Sequence, residues 1–303
     1  MDEQSPKTPE TASPGRLPPW LRVRLPADAS FAATARTVSA GGLRTVCRGA
    51  RCPNIFECFS RGTATFLILG GICTRGCAFC NIIAGRPDVV DPEEPERLGR
   101  TVADLKLSHV VVTSVTRDDL PDGGAGHFAA TIAAVRRHAP GTTIEVLTPD
   151  FGGDPAALDT VLMAGPDVFN HNMETVPRLY ATVRRGAGYA RSLTVLSRAA
   201  ARGGVVVKSG LMVGLGERME ELGAVLSDLA GAGCRVVTVG QYLRPGRRNL
   251  PVVRYVPPVE FESIAALGRE RGVPEMVCGP LVRSSYRAAE TAARALGGCC
   301  PHS

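Results

Sequence analysis

From Thr63 onward, short β-branched runs alternate with amphipathic stretches, and this alternation limits the possible folds more than any other feature of the chain. The runs 65–69, 110–115, 143–147, 168–171, 204–212 and 235–240 read as six strands. Between them, 95–106, 127–138, 155–164, 192–202 and 218–232 carry apolar residues at helical spacing. A strand, a helix and a second strand in sequence return right-handedly to a parallel neighbour. Six such strands are too few for a full eight-stranded barrel. The expectation is therefore an α/β fold, a partial, open (β/α)6 barrel of TIM type with its active site at the strands' C-terminal ends.

Polar and glycine residues crowd those ends: Gly70-Gly71, residues 116–119, 170–172, 208–210 and 214–217, then Gln241-Tyr242. Residues 1–19, rich in Pro, Ser, Thr and Glu, read as a disordered tail. An N-terminal extension then spans 20–62, the barrel 63–272 and a C-terminal extension 273–303, the two extensions covering the mouth. Aromatics make up only 5% of the 303 residues, so the core is expected to be built from Val, Leu, Ile and Ala. No apolar run approaches the roughly 18 residues needed to span a bilayer, which argues against a membrane role. The net charge of +6 comes from scattered arginines. No segment interleaves them with aromatics as a nucleic-acid groove would.

Of ten cysteines, six form two triplets: Cys47, Cys52 and Cys58, then Cys73, Cys77 and Cys80. Clustered spacing in a long chain favours metal ligation in a reducing compartment, and hence a cytoplasmic protein, over a disulfide framework. Each triplet stops one ligand short of a closed zinc or iron–sulfur site, which leaves a metal position for something else. A zinc knuckle would ordinarily have a fourth Cys or His nearby.

The second triplet, Cys73-Thr-Arg-Gly-Cys77-Ala-Phe-Cys80, follows an apolar strand and resembles the CxxxCx(aromatic)C loop of radical S-adenosylmethionine enzymes, with Phe79 in the aromatic place. The first triplet, followed by Gly62-Thr-Ala-Thr-Phe66, resembles that of lipoyl synthases. So do Ser114-Val-Thr-Arg-Asp-Asp-Leu120 with Asp122-Gly-Gly124, Asp167-Val-Phe-Asn-His-Asn172, Lys208-Ser-Gly-Leu-Met-Val-Gly-Leu-Gly216, Gly240-Gln-Tyr-Leu243 and Cys278-Gly-Pro-Leu-Val-Arg-Ser-Ser-Tyr286. The likeness runs from about Trp20 to Tyr286.

The resemblance implies two [4Fe–4S] clusters and S-adenosyl-L-methionine. Cys73, Cys77 and Cys80 would hold the cluster that cleaves the sulfonium. Cys47, Cys52 and Cys58 would hold an auxiliary cluster whose fourth ligand is Ser285, with Ser284 the alternative. Asn170, Asn172, Glu174, Arg191 and Lys208 would touch the adenosyl, ribose or methionine parts. The implied reaction inserts sulfur at C6 and C8 of an octanoyl chain held on a lysine of a carrier domain, the auxiliary cluster giving up the sulfur. The carrier would be a 2-oxoacid dehydrogenase E2 subunit or a glycine cleavage H protein. A donor such as ferredoxin or flavodoxin and the iron–sulfur assembly proteins are the other implied partners.

The positive charge fits an acidic carrier docking beside the mouth. Strand alternation turns His171 away from a pocket that Asn170 and Asn172 face. Cys234 and Cys278 read as free thiols, and Cys299-Cys300 as an exposed, oxidation-prone pair. Arg48 and Gly49 stand where lipoyl synthases usually carry acidic residues, and Arg185 stands where they commonly carry proline.

Overall fold

The computed structural model describes residues 17–23 and 29–297. Most of the expected tail and the Cys299-Cys300 pair lie outside the described residues. The main sheet has eight strands in the order β1 (Arg44–Thr45), β2 (Thr65–Ile68), β5 (His109–Ser114), β6 (Thr143–Leu147), β7 (Val168–Asn170), β8 (Val206–Val213), β9 (Val236–Gln241) and β10 (Glu275–Gly279). A separate parallel pair, β3 (Ile72–Cys73) with β4 (Ile83–Ala84), brackets the second cysteine loop.

All six expected strands are present and parallel. A seventh, β10, pairs parallel with β9 from within the segment read as the C-terminal extension. At the other edge β1 pairs antiparallel with β2. The two edges do not pair with each other, so the barrel is open.

Helices α1 (Ala29–Ala40), α2 (Val46–Gly49) and α3 (Ile55–Ser60) precede and follow β1. Then α4 (Glu94–Asp104), α5 (Ala125–His138), α6 (Pro155–Met163), α7 (Tyr180–Val183), α8 (Tyr189–Arg202), α9 (Met219–Gly231), α10 (Pro258–Glu270) and α11 (Ala288–Ala295) complete the chain. Helix starts carry local signals. Pro155 opens α6 while Asp154 caps it by accepting from Ala156 N at 2.9 Å. Glu221 in the first turn of α9 accepts from Arg218 N at 2.8 Å.

Period-two alternation sorts each strand's residues. One set, including Phe66, Ile68, Val110, Val112, Ile144, Val146, Phe169, Val207 and Val237, packs in one core with Leu98, Phe128, Ile132, Val161, Leu196 and Leu226 from the helices. Each such buried side chain contributes about 1.5–3 kcal/mol of transfer free energy. The other set faces the barrel interior: Thr65 and Val111 line one cavity, and Leu67, Thr113, Leu147, Gly210, Met212, Thr238 and Gly240 another.

The first residues of β7, β8 and β9, Val168, Val206 and Val236, cluster with Ala292 and Ala295 of α11. An alanine-faced helix therefore closes the strands' N-terminal ends. The opposite end stays open, and the polar loops gather there.

Candidate active site

The second triplet is a loop pinned from three sides. Thr74 N donates to Thr116 O at 3.0 Å, Ala78 N to Val183 O at 2.9 Å, and Asn249 Nδ2 to Cys80 O at 2.8 Å. Arg75, inside the loop, donates to both oxygens of Asp118 at 2.8 and 2.6 Å and lies 2.8 Å from Asp150. Three amides point at sulfur: Arg75 N and Thr116 N lie 3.4 and 3.3 Å from Cys73 Sγ, and Ile82 N 3.4 Å from Cys80 Sγ. Such donors favour thiolate. Burial works the other way, pushing Cys77 up to about 12 and raising Cys80. Thiolates here need a cationic group to form, as a set of metal ligands does.

The first triplet is held between the N- and C-terminal segments. Cys47 lies in α2, Cys52 beyond it and Cys58 in α3; burial pushes Cys47 up to about 11 and Cys58 to about 12, and raises Cys52. The segment 281–287 is fastened over them. Asn54 Nδ2 donates to Leu281 O at 2.7 Å, and Glu57 accepts from Tyr286 Oη at 3.0 Å and from Arg287 at 3.2 Å. The segment also lies close on β9. A Cβ on Gly240 would stand 2.0 Å from Val282 O, so only glycine fits.

Within that segment the two serines have different neighbours. Ser285 Oγ accepts from Thr65 Oγ1 at 2.8 Å, beside the first triplet, while Ser284 Oγ accepts from Asn172 Nδ2 at 2.7 Å. A cavity of about 500 Å³, the size of a small-ligand site, is lined by Cys73, Cys77, Cys80, Phe79, Asn172 and Glu174 together with Cys47, Cys52 and Ser285. A smaller cavity of about 100 Å³ adjoins it, sharing Cys47, Cys52 and Ser285 and adding Cys58.

Ser114, Thr148 and Asn172 line the larger cavity, and among the described residues Ser114 Oγ, Thr148 Oγ1 and Asn172 Oδ1 are buried without a hydrogen-bond partner. Buried polar atoms of this kind ask for a polar ligand. Glu174 beside them sits at φ 69°, its carboxyl raised by burial although the Arg184 cation pulls it down. Among the described residues no three His, Cys, Asp or Glu side chains could hold a single metal ion. Thiols around a four-iron cube stand further apart than ligands about 2.3 Å from one ion.

Three expected cofactor contacts lie outside the cavity wall. Lys208, 1% exposed, donates to both oxygens of fully buried Glu145 at 2.9 and 3.1 Å, and Asn170 Nδ2 donates to the same carboxylate at 3.0 Å. Arg191 donates to Asp150 Oδ2 at 2.8 Å and to Gly186 O at 2.7 Å. Through Asp150 it braces Arg75 and the second cysteine loop. His171 is buried and turned from the cavity, with Nδ1 2.8 Å from Thr148 O and Nε2 3.0 Å from Ser192 Oγ. Burial and the Arg184 cation lower it to about 3, so its imidazole is neutral.

Reading the residues alone missed Arg75, Asp118 and Asp150, which brace the second loop, and Glu57, which latches the first. Arg75 inside the CxxxCxxC loop was the available signal: a buried guanidinium needs carboxylates nearby.

The profile of the Radical SAM superfamily matches residues 67–229. A lipoyl synthase of Nitratidesulfovibrio vulgaris strain DP4 is 59% identical over 290 residues, 95% of this chain and 97% of that one. The chain belongs to the lipoyl synthase family. A more distant member, the lipoyl synthase of Chlorobium chlorochromatii, is 52% identical over 275 residues, 90% of this chain and 94% of its own. Solved structures share the fold. Streptococcus suis SuiB bound to S-adenosylmethionine has a TM-score of 0.53 at 10% identity, covering 74% of this chain and 54% of that one. HydG, a maturase of the [FeFe]-hydrogenase, has a TM-score of 0.52 at 15% identity, covering 77% and 63%. Among the described residues no helix is long and apolar enough to cross a membrane.

Proposed function

We propose that this lipoyl synthase family member attaches two sulfur atoms, at C6 and C8, to an octanoyl chain held in amide linkage on a lysine of a lipoyl carrier domain. The observation that carries this reading is that both cysteine triplets and Ser285 line two cavities that share Cys47, Cys52 and Ser285 as walls. Cys73, Cys77 and Cys80 would hold one [4Fe–4S] cluster, leaving room for S-adenosyl-L-methionine, and Cys47, Cys52, Cys58 and Ser285 would hold the other. When bound, the first cluster and its nucleotide supply radical hydrogen abstraction, and the second supplies the sulfur.

The chain's own residues bind, align and keep water out. Asn172, Glu174 and the unpartnered hydroxyls of Ser114 and Thr148 are suited to the polar parts of the nucleotide. Phe79, Leu67, Ile82, Val115, Leu147 and Met212 give the cavity an apolar wall for an octanoyl tail. Holding both reacting centres in one cavity lets a carbon radical meet sulfur before it is quenched. The hydroxyl of Thr65 donates to Ser285 Oγ and so supports negative charge on that oxygen. Oxygen is a harder, poorer ligand than thiolate for iron in a sulfide cluster, which suits an iron that must be released.

The substrate is an octanoylated carrier, either a 2-oxoacid dehydrogenase E2 subunit or a glycine cleavage H protein. A ferredoxin or flavodoxin supplies electrons, and iron–sulfur assembly proteins load the clusters. The reducing cytoplasm suits the eight cysteines of the described residues, none of them in a disulfide. Reconstituted, reduced protein incubated without oxygen with S-adenosylmethionine and an octanoylated carrier peptide is expected to add two sulfurs by mass. Release of 5′-deoxyadenosine with no sulfur gain rejects the reading.

A further inference from the structure

One corner of the mouth carries positive charge that the protein leaves unmatched. Arg51, between α2 and α3, and Arg244, after β9, line the cavity, and Arg247 and Arg248 follow on the connection to α10. All four are exposed. Side-chain bonds to backbone carbonyls join their segments into one surface. Arg51 Nη1 donates to Pro245 O at 3.3 Å, Arg248 Nη2 to Asn81 O at 3.0 Å, and Asn81 Nδ2 to Gly49 O at 2.8 Å. Because Asn249 Nδ2 donates to Cys80 O at 2.8 Å, this corner abuts the second cysteine loop.

Some exposed arginines elsewhere are matched to carboxylates, as Arg178 to Glu221, Arg198 to Asp159, Arg254 to Glu260 and Arg294 to Glu275, and others among the described residues, such as Arg36, Arg86 and Arg235, are not; what sets the corner apart is that four without carboxylates stand together at the mouth. Among the described residues, none of the four corner arginines has such a partner. Arg51, Arg244 and Arg248 bond to carbonyl oxygens, which orient a guanidinium without cancelling its charge. Like charges left together repel one another and attract an anionic surface.

We propose that this four-arginine corner is the docking face for an acidic patch of the carrier protein around its modified lysine. The proposal rests on the reading of the reaction given above, in which the acyl arm enters the cavity from a folded domain. Such an arm is one side chain long, so the carrier's own surface comes to rest on the rim. The stretch 244–251 holds no aromatic residue on which a nucleic-acid base could stack, which favours a protein over RNA.

The test uses the full reconstituted protein and Arg247→Glu/Arg248→Glu, two positions outside the cavity wall. Binding of fluorescently labelled, octanoylated glycine cleavage H protein is followed by anisotropy, independently of turnover. The charge reversal is expected to weaken binding, and to raise the KM for that carrier, by about tenfold. Wild-type binding is expected to weaken as salt rises from about 50 to about 300 mM, and the variant's far less. Arg247→Lys/Arg248→Lys should bind within about twofold of wild type, because charge is kept. A short octanoyl-lysine peptide of neutral sequence should be turned over equally by all three.

Equal carrier affinity in wild type and the reversed variant overturns the proposal, as does salt-independent binding by the wild type. A matching loss with the short peptide, or a short RNA displacing the carrier from this face at lower concentration than unlabelled carrier, overturns it too. Carrier that binds through the arginines but is never sulfurated leaves the docking face standing and rejects the activity reading instead.

Discussion

Replacing Lys208 by Met separates a structural ion pair from a cofactor contact. The ammonium is 1% exposed and donates to Glu145 at 2.9 and 3.1 Å, and Asn170 adds a bond of 3.0 Å. Burial alone would raise the Glu145 carboxyl. The Lys208 charge and His109, whose Nε2 lies 3.6 Å away, overcome that and hold it at about 2 instead of 4.5. Without Lys208 the carboxylate has to take up a proton. At pH 7.5, three units above its ordinary value of 4.5, this costs about 4 kcal/mol at about 1.36 kcal/mol per unit. Local relaxation and water entry offset part of the loss, giving a range of about 3–4 kcal/mol, in line with other broken buried pairs. With about 2.1 cal/mol/K of unfolding entropy per residue over 303 residues, Tm should fall by about 5–6 °C.

The pH dependence carries a second signature. In the wild type the depressed Glu145 pKa contributes stability that is present above 4.5 and lost as the pH falls from 4.5 towards 2. In Lys208→Met the carboxyl's pKa is raised, so the contribution has the opposite sign. The variant is relatively best at acid pH and loses ground as pH rises. The Tm gap between the two proteins should therefore narrow from pH 7.5 to pH 5, and Glu145→Leu/Lys208→Met should recover most of the loss. Anaerobic thermal unfolding of unloaded protein by circular dichroism measures both. A variant with wild-type Tm and weakened S-adenosylmethionine affinity would put the ammonium in the cavity and refute the reasoning.

Ser285→Ala should keep releasing 5′-deoxyadenosine while doubly sulfurated product falls to about a tenth or less, whereas Ser284→Ala, which loses only the bond to Asn172, keeps product. Chromatography of both products decides it, and wild-type product from Ser285→Ala removes that residue from the ligand set. Glu57→Ala frees Tyr286 and Arg287 and loosens the strap over the first triplet. Iron after reconstitution should drop from about eight to about four per chain, while global stability changes by only about 0.5–1 kcal/mol because the pair is part-exposed. Full iron content in that variant would show that the strap does not hold the cluster. Gly210→Ala would set a methyl 2.7 Å from Asn172 Oδ1 and 2.8 Å from Thr238 Oγ1, costing about 1–3 kcal/mol and weakening S-adenosylmethionine binding. Lost stability with an unchanged nucleotide Kd would exclude Asn172 as a nucleotide contact.

The parts of this fold written in local chemistry were readable from the chain. Runs such as Val110-Val-Val-Thr113 can be little other than strands, and alternation with helices makes them parallel. Strand β10 was missed because Glu275-Met-Val-Cys-Gly279 is short and lies half-buried at the sheet edge, so its apolar pattern is weak. The triplets were legible because thiol spacing within one loop survives without knowledge of the rest of the fold.

Asn170 and Lys208 are a different case. Position near the strands' C-terminal ends marked both as cofactor contacts, but it says nothing about how far down the barrel a side chain reaches. That depth is set by Glu145, a single carboxylate in the apolar run Thr143-Ile-Glu-Val-Leu147, on the strand next to Asn170 and two strands from Lys208. Once buried, that charge must find a cation, and the cation it captures is no longer free to meet a ligand at the mouth. Arg75, Asp150 and Arg191 follow the same logic at the rim, where two guanidiniums bracing the second cysteine loop are held by carboxylates. Among the arginines without carboxylates, Arg51, Arg244, Arg247 and Arg248 are exposed together at the mouth. Pairing, which only the fold reveals, separates Arg75 and Arg191, which carboxylates hold beside the second cysteine loop, from the four corner arginines that can receive a partner.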